Sequence, residues 1–296
     1  MTTRRSALAL GSALLLQPIG ASSARAQTSS LGRLRDIREL VLDPKREFSI
    51  SRTLAELDEI ETTIKGTGPD SPERGELNYL RGFIHYKAKR PEQSLPPSVE
   101  AIRIDDAAPF LPPALKLKFV YNVATQAAEL GRWPLAVTHY RKSLALFPSD
   151  PDTTEDQRLG TMQELAYCLH EAKQFAEAKA VNEEVLAGGE RLHGAESDKL
   201  ITVLNNLAQN VYGLGDLEAP RPLLERRLAI ALKHGEDEAA EDTLFQLGVL
   251  AFETGRKDEA ETLMKRRLAM AEASRDPARI RAAKVDLEEL HAKMRR

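Results

Sequence analysis

Side-chain amides and aromatic rings recur at helical spacing along this chain. Asn205, Asn206, Gln209 and Tyr212 form one such set, and Gln163, Glu164, Tyr167 and His170 another. Tyr79, Phe83 and Tyr86, then Tyr121, Asn122 and Thr125, then Phe245, Gln246 and Phe252 extend the series in both directions. Separations of three and four residues put each set on one stripe of a helix. A carboxamide donates and accepts at once, so it can pair with the backbone of an extended peptide. Aromatic rings add apolar contact at low entropic cost. This is recognition chemistry, and the candidate partner-binding residues are Tyr121, Asn122, Tyr167, His170, Asn205, Asn206, Gln209 and Phe245.

Residues suited to catalysis or metal binding are present without the spacing that either requires. His85, His139, His170, His193, His234 and His291 are scattered. Cys168 and His170 are two apart and point to different helix faces, so they cannot share a metal. Cys168, among Leu165, Ala166 and Leu169, reads as a small buried hydrophobe rather than a reactive thiol. No strand precedes a glycine-rich phosphate loop. Triads assemble across space, so sequence is silent on them, but every candidate Ser has a loop or capping explanation. No catalytic residue, metal or cofactor is assigned.

The elements that carry these stripes repeat. One small residue returns at Gly82, Ala124, Ala166, Ala208 and Gly248, with spacings of 42, 42, 42 and 40 residues. A fixed period in that range marks stacked copies of one supersecondary unit. Seven residues after the small residue stands Gly131, Gly215 or Gly255, a natural helix stop. Trp133, Phe175 and Leu217 then open a second helix, and Ala136, Ala178 and Ala260 supply a second small residue for a close helix crossing. Leu144, Leu186, Leu228 and Leu268 follow at the same period as core positions between repeats.

This grammar resembles the tetratricopeptide repeat family, best over Val120 to Pro148, with Gly131, Trp133, Ala136, Tyr140, Leu144 and Pro148. The family's usual unit is 34 residues. The longer period, with Leu204-Asn205-Asn206-Leu207-Ala208 and the run Leu223 to Ile230, looks like the kinesin light chain subclass. The resemblance spans roughly Gly75 to Ser274. It implies an all-α, right-handed α-α superhelix (a solenoid) of about five helix pairs plus terminal capping helices. The first helix of each pair would line a concave groove, where the candidate residues meet a protein or peptide. For Tyr167 and Tyr212, packing between repeats is the alternative. Asn206 resembles the backbone-binding asparagine of peptide-binding members. Tyr121, Gln163 and Asn205 stand where chaperone-type members carry carboxylate-clamping Lys or Arg, which puts such a clamp in doubt.

Several departures carry expectations. Ser94 takes the second small position of the first unit, and Pro96 and Pro97 predict that its second helix starts late or breaks. Pro220 and Pro222 place the start of the fourth unit's second helix near Ala219. Lys89 and Lys173 replace the turn glycine in two units.

The first 26 residues read as a signal peptide. Arg4 and Arg5 precede an apolar stretch from Ala7 to Leu16 and an Ala24-Arg25-Ala26 cleavage site, so a periplasmic or secreted mature chain should begin at Gln27. Twin-arginine and general secretory routes both fit. Residues 27–74 follow as an N-terminal helix pair (Leu31–Leu42, then Ile50–Ile64 with Ser51 and Thr53 as caps) and a Gly/Pro-rich loop. The repeats occupy 75–280, and a charged amphipathic helix at 281–296 caps the array.

Composition is that of a globular chain, 42% hydrophobic, 29% charged and 5% aromatic. Loss of a leader with three arginines and no acid takes the net charge of −3 to −6. That sign argues against nucleic acid. Arg226-Arg227 and Lys265-Arg266-Arg267 read as solvated helix faces. The h-region is too short to span a bilayer, so no stable membrane insertion is expected after cleavage. The expected function is that of an exported, non-enzymatic scaffold of open oligomeric state. Its rivals are an enzyme or enzyme subunit acting on cell-envelope polymers and a self-associating structural protein.

Overall fold

The computed structural model describes residues 29–295, so the expected leader lies outside the described residues. Thirteen α-helices and two short 3-10 turns account for the ordered elements among them, with no strand. Helices α1 (Ser30–Leu42) and α2 (Ile50–Thr63) precede five antiparallel pairs. These are α3 (Pro72–Lys87) with α4 (Pro91–Ala107), α5 (Pro113–Glu129) with α6 (Trp133–Leu146), and α7 (Glu155–Glu171) with α8 (Phe175–His193). Then come α9 (Ile201–Gly213) with α10 (Pro220–His234), α11 (Asp237–Glu253) with α12 (Lys257–Ser274), and a last helix, α13 (Pro277–Met294). Each helix packs on its chain neighbours, which makes the fold an all-α solenoid.

The turn inside each pair explains the glycine signal. Gly131, Gly215 and Gly255 all have positive φ, between 65° and 88°. At Gly131 the helix ends in a Schellman motif: Arg132 N donates to the Ala127 carbonyl and Gly131 N to that of Ala128. Lys89 and Lys173 take the same conformation, with φ of 55° and 62°, and make the same pair of bonds. Turn geometry is therefore kept without glycine, at the steric cost of a Cβ in the left-handed region.

Small residues seat the pairs. Ala124, Ala136, Ala166, Ala178 and Ala260 are wholly buried. A Cβ on Gly82 would fall 2.1 Å from the Ser98 hydroxyl oxygen, and the Gly82 carbonyl accepts from Ser94 Oγ at 2.8 Å. Ser94 thus performs the small residue's task and adds a bond.

Three expectations are corrected. Helix α4 runs unbroken through Pro96 and Pro97. The prolines leave the carbonyls of Glu92 and Gln93 without their helical donors, but both residues are exposed and water can serve them. Leu217 does not open α10. It lies three residues ahead of it, half-buried against the core, because Pro220 fixes the helix start. At α2 the cap is Ser49, whose hydroxyl accepts from Arg52 N, while Ser51 and Thr53 lie within the helix.

The period also shows in polar cross-links between neighbouring units. Arg132 pairs with Glu92, Lys142 with Asp106, Arg221 with Glu259, Arg256 with Glu218 and Arg279 with Glu241. Most are surface pairs, each worth about 0–1 kcal/mol; they fix register more than they stabilise.

Candidate functional site

First helices α7 and α9 of successive pairs touch each other, whereas second helices show no comparable approach. Here α7 and α9 therefore line the inner curve of the stack, and their free stripe faces the groove. Tyr167 and Tyr212 remain 47% and 44% exposed on that stripe. Tyr167 also meets Trp133 edge-on at 5.9 Å, and Tyr212 Oη donates to Glu253 at 3.0 Å, so each ring does some packing and still faces solvent.

Between them stand the amides. Asn205 is engaged, accepting from Gln246 Nε2 at 2.9 Å across the unit boundary. The carboxamides of Asn206 and Gln209 make no hydrogen bond to any described side chain or backbone group. Tyr167, His170, Asn206 and Gln209 come together around one small cavity. Gln209 also borders the next cavity, with Tyr212, Gln246 and Phe245. Phe245 is half-buried, with the Arg267 guanidinium 5.1 Å from its ring centroid. Tyr121 and Asn122 lie apart from these, lining a cavity of about 490 Å³ with Ser143, Phe147 and Thr161. Tyr79 leaves the stripe altogether: it is 1% exposed and packs edge-on to Phe119 at 4.7 Å.

His170 accepts at Nδ1 from Asn210 Nδ2 at 2.9 Å, and its ring sits edge-on to Phe175. Desolvation, partly opposed by Glu171, lowers its pKa, which favours the neutral ring. Burial pushes the Cys168 thiol up to about 12, so no thiolate forms near neutrality. The same cause brings His139 down to about 4. Among the described residues no cluster of three or more His, Cys, Asp or Glu is placed to hold a metal, and no helix is long and apolar enough to cross a membrane.

Residues 158–233 match the family model described as tetratricopeptide repeat. That stretch, α7 through α10, carries tetratricopeptide repeats, set within the all-α solenoid. Its fold is similar to BtubC from P. vanneervenii, with a TM-score of 0.54, 20% identity, and coverage of 77% of this chain and 93% of that one. It is similar also to the apo form of RapI (TM-score 0.61, 13% identity, 90% and 71% covered). Aspartyl phosphate phosphatase F from Bacillus subtilis gives 0.54, 14%, 86% and 63%. At these identities the likeness is one of fold. Among curated proteins none matches the sequence.

Aligning the helix pairs on their small residues exposes site residues that stripe reasoning missed. Four residues after the second small residue stand Tyr140, Asn182, Leu224 and Met264, all buried. Two residues after the first stand Ile84, Gln126, Cys168, Asn210 and Leu250, also buried. Asn182 and Asn210 are thus amides at core positions, directly beneath the groove, and the repeat alignment was the signal for them. Arg227 is a correction. It does not lie on a solvated face: it is 6% exposed, and Nη1 donates to Asp242 and to Thr243, each at 2.7 Å.

Proposed function

We propose that the chain is an exported, non-enzymatic scaffold whose concave groove holds an extended segment of a protein partner. The observation that carries this reading is the pair of unengaged carboxamides, Asn206 and Gln209, set between the half-exposed rings of Tyr167 and Tyr212. An amide that bonds nothing in the protein is available to a peptide backbone, which offers one donor and one acceptor per residue. The rings on either side supply apolar contact. Without a basic clamp at Tyr121, Gln163 and Asn205, the groove suits an internal segment rather than a C-terminal carboxylate.

Crosslinking in the cell-envelope fraction would supply the partner. Isothermal titration of a peptide from it then tests the groove. Asn206→Ala with Gln209→Ala should weaken binding while leaving helical content unchanged, and equal affinity would remove the binding site from this stripe. Export is tested by mass-spectrometric reading of the mature terminus. A chain beginning at Gln27 supports it, and an intact Met1 or Thr2 contradicts it.

A further inference from the structure

The two cavities on the groove floor are the same site one repeat apart. Ala166, His170, Asn182, Asn206 and Asn210 border the first, and the residues at the matching repeat positions, Ala208, Tyr212, Leu224, Gln246 and Leu250, border the second. Gln209 stands on the ridge between, lining both. The equivalent sites differ sharply in chemistry.

The second is an apolar hollow of about 220 Å³. The first is about 30 Å³, more enclosed and built from amides. Asn182 is wholly buried and Asn210 is 1% exposed. Asn182 Nδ2 donates to Asn210 Oδ1 at 2.8 Å, and Asn210 Nδ2 bonds His170 Nδ1. That chain has a direction. It places the imidazole proton on Nε2, and it leaves Asn182 Oδ1 as a buried acceptor with no partner. A buried polar group without a partner is rare in folded proteins and calls for a complement. A group that both donates, to Asn182 Oδ1, and accepts, from the His170 or Gln209 N–H, is a carboxamide or a hydroxyl, and the carboxamide, with donor and acceptor on separate atoms like the amides around it, matches the lining better. An anionic head would meet Glu171, which also lines the cavity, with no cation beside it, and a cationic head has no acceptor for the His170 or Gln209 N–H.

Resting on the groove reading above, we infer that the floor of the groove selects its peptide by two side chains: a carboxamide, Asn or Gln, in the small polar cavity under Tyr167, and an aliphatic or aromatic side chain in the hollow beside Phe245. Touching helices have axes about 10 Å apart, and a chain in the polyproline II conformation advances about 3.1 Å per residue with three residues per turn, which sets the two side chains about three residues apart on one face.

The test is a nuclear magnetic resonance titration of the chain with defined probes: N-acetyl-glutamine methylamide, N-acetyl-leucine methylamide, and the capped tetrapeptides Gln-Ala-Ala-Leu and Leu-Ala-Ala-Gln. The glutamine probe should move the side-chain amide signals of Asn182 and Asn210, and the leucine probe those of the Tyr212 and Phe245 rings. One tetrapeptide should bind more tightly than either probe. Asn182→Leu with Asn210→Leu gives the first cavity the residues of the second, Leu224 and Leu250. Exchanging both partners of the Asn182–Asn210 bond for apolar groups is near neutral for stability, and His170 Nδ1, on a half-buried ring, can take a water in place of Asn210. This variant should stay folded, lose affinity for the glutamine probe by about 5- to 150-fold, and respond to the leucine probe at His170. Asn182→Leu alone is the second variant should the double change not fold. If the leucine probe moves Phe245 while the glutamine probe leaves Asn182 and Asn210 unmoved, the cavity holds a water only and this inference fails with the groove reading intact. If no probe moves any groove signal, both fail.

Discussion

Arg227 and its neighbour Arg226 look alike in sequence and should behave differently when cut back to alanine. The Arg227 side chain is 8% exposed and crosses from α10 to α11, where it bonds Asp242 and the buried hydroxyl of Thr243. Removing it deletes two charge-assisted bonds and the packing of its stem. Breaking a fully buried ion pair costs about 3–5 kcal/mol, because the abandoned charge stays dry. Here the abandoned charge belongs to Asp242, whose side chain is 50% exposed and can rehydrate. Thr243 keeps its own donor bond to the Ala239 carbonyl and loses only an acceptor role. The expected cost of Arg227→Ala is therefore that of a hydrogen bond to a charged group, about 1.5–3 kcal/mol. Arg226 is 34% exposed at its side chain and pairs with Glu190 and the Ala195 carbonyl where water can replace it at both, so Arg226→Ala should cost about 1 kcal/mol or less. Urea denaturation followed by circular dichroism compares the two midpoints on one scale. Equal midpoints would refute the buried cross-link and return Arg227 to the outer face.

Ala136 is wholly buried at the crossing of α5 and α6, so Ala136→Leu should lower stability by about 1–3 kcal/mol through overpacking, and an unchanged urea midpoint would contradict that crossing. Lys173 holds a left-handed turn that suits glycine, so Lys173→Gly should raise stability by about 0.5–1 kcal/mol, read as a higher urea midpoint; a loss would mean that its contact over the Phe175 ring outweighs the strain. Burial, with Lys142 adding and Asp106 opposing, holds the folded pKa of His139 near 4, below the ordinary value of 6.5. The unfolded chain then binds more protons between those values, so this contribution is full above pH 6.5 and is lost as pH falls toward 4. His139→Gln should flatten the fall in melting temperature across that window, and an unchanged pH profile would contradict it.

The helix pairs were legible because their signals are local. Gly131, Gly215 and Gly255 mark turns by a backbone requirement, and Ala136, Ala178 and Ala260 mark contacts where nothing larger fits. Pro96 and Pro97 misled for a non-local reason. The cost of a proline depends on whether its orphaned carbonyls are wet, and that depends on which face α4 turns to α3. Arg227 misled for the same reason, since an arginine on a helix declares its burial only when the opposing helix is known. The surface half of the candidate site, Tyr167, Asn206 and Gln209, came from spacing along single helices. Its floor joins His170, itself found by spacing, to Asn182 and Asn210 on two other helices, and these two emerge only when repeats are superposed.

The central claim is that the inner stripe of the first helices, and no other face, meets the partner. A photo-crosslinking residue in place of Gln209, in the full chain expressed in its own host, tests this most directly. Its counterpart replaces the exposed Ala229 on α10. Mass spectrometry should find a partner peptide joined at position 209 and none at 229. Crosslinks from 229 with none from 209 would contradict the account.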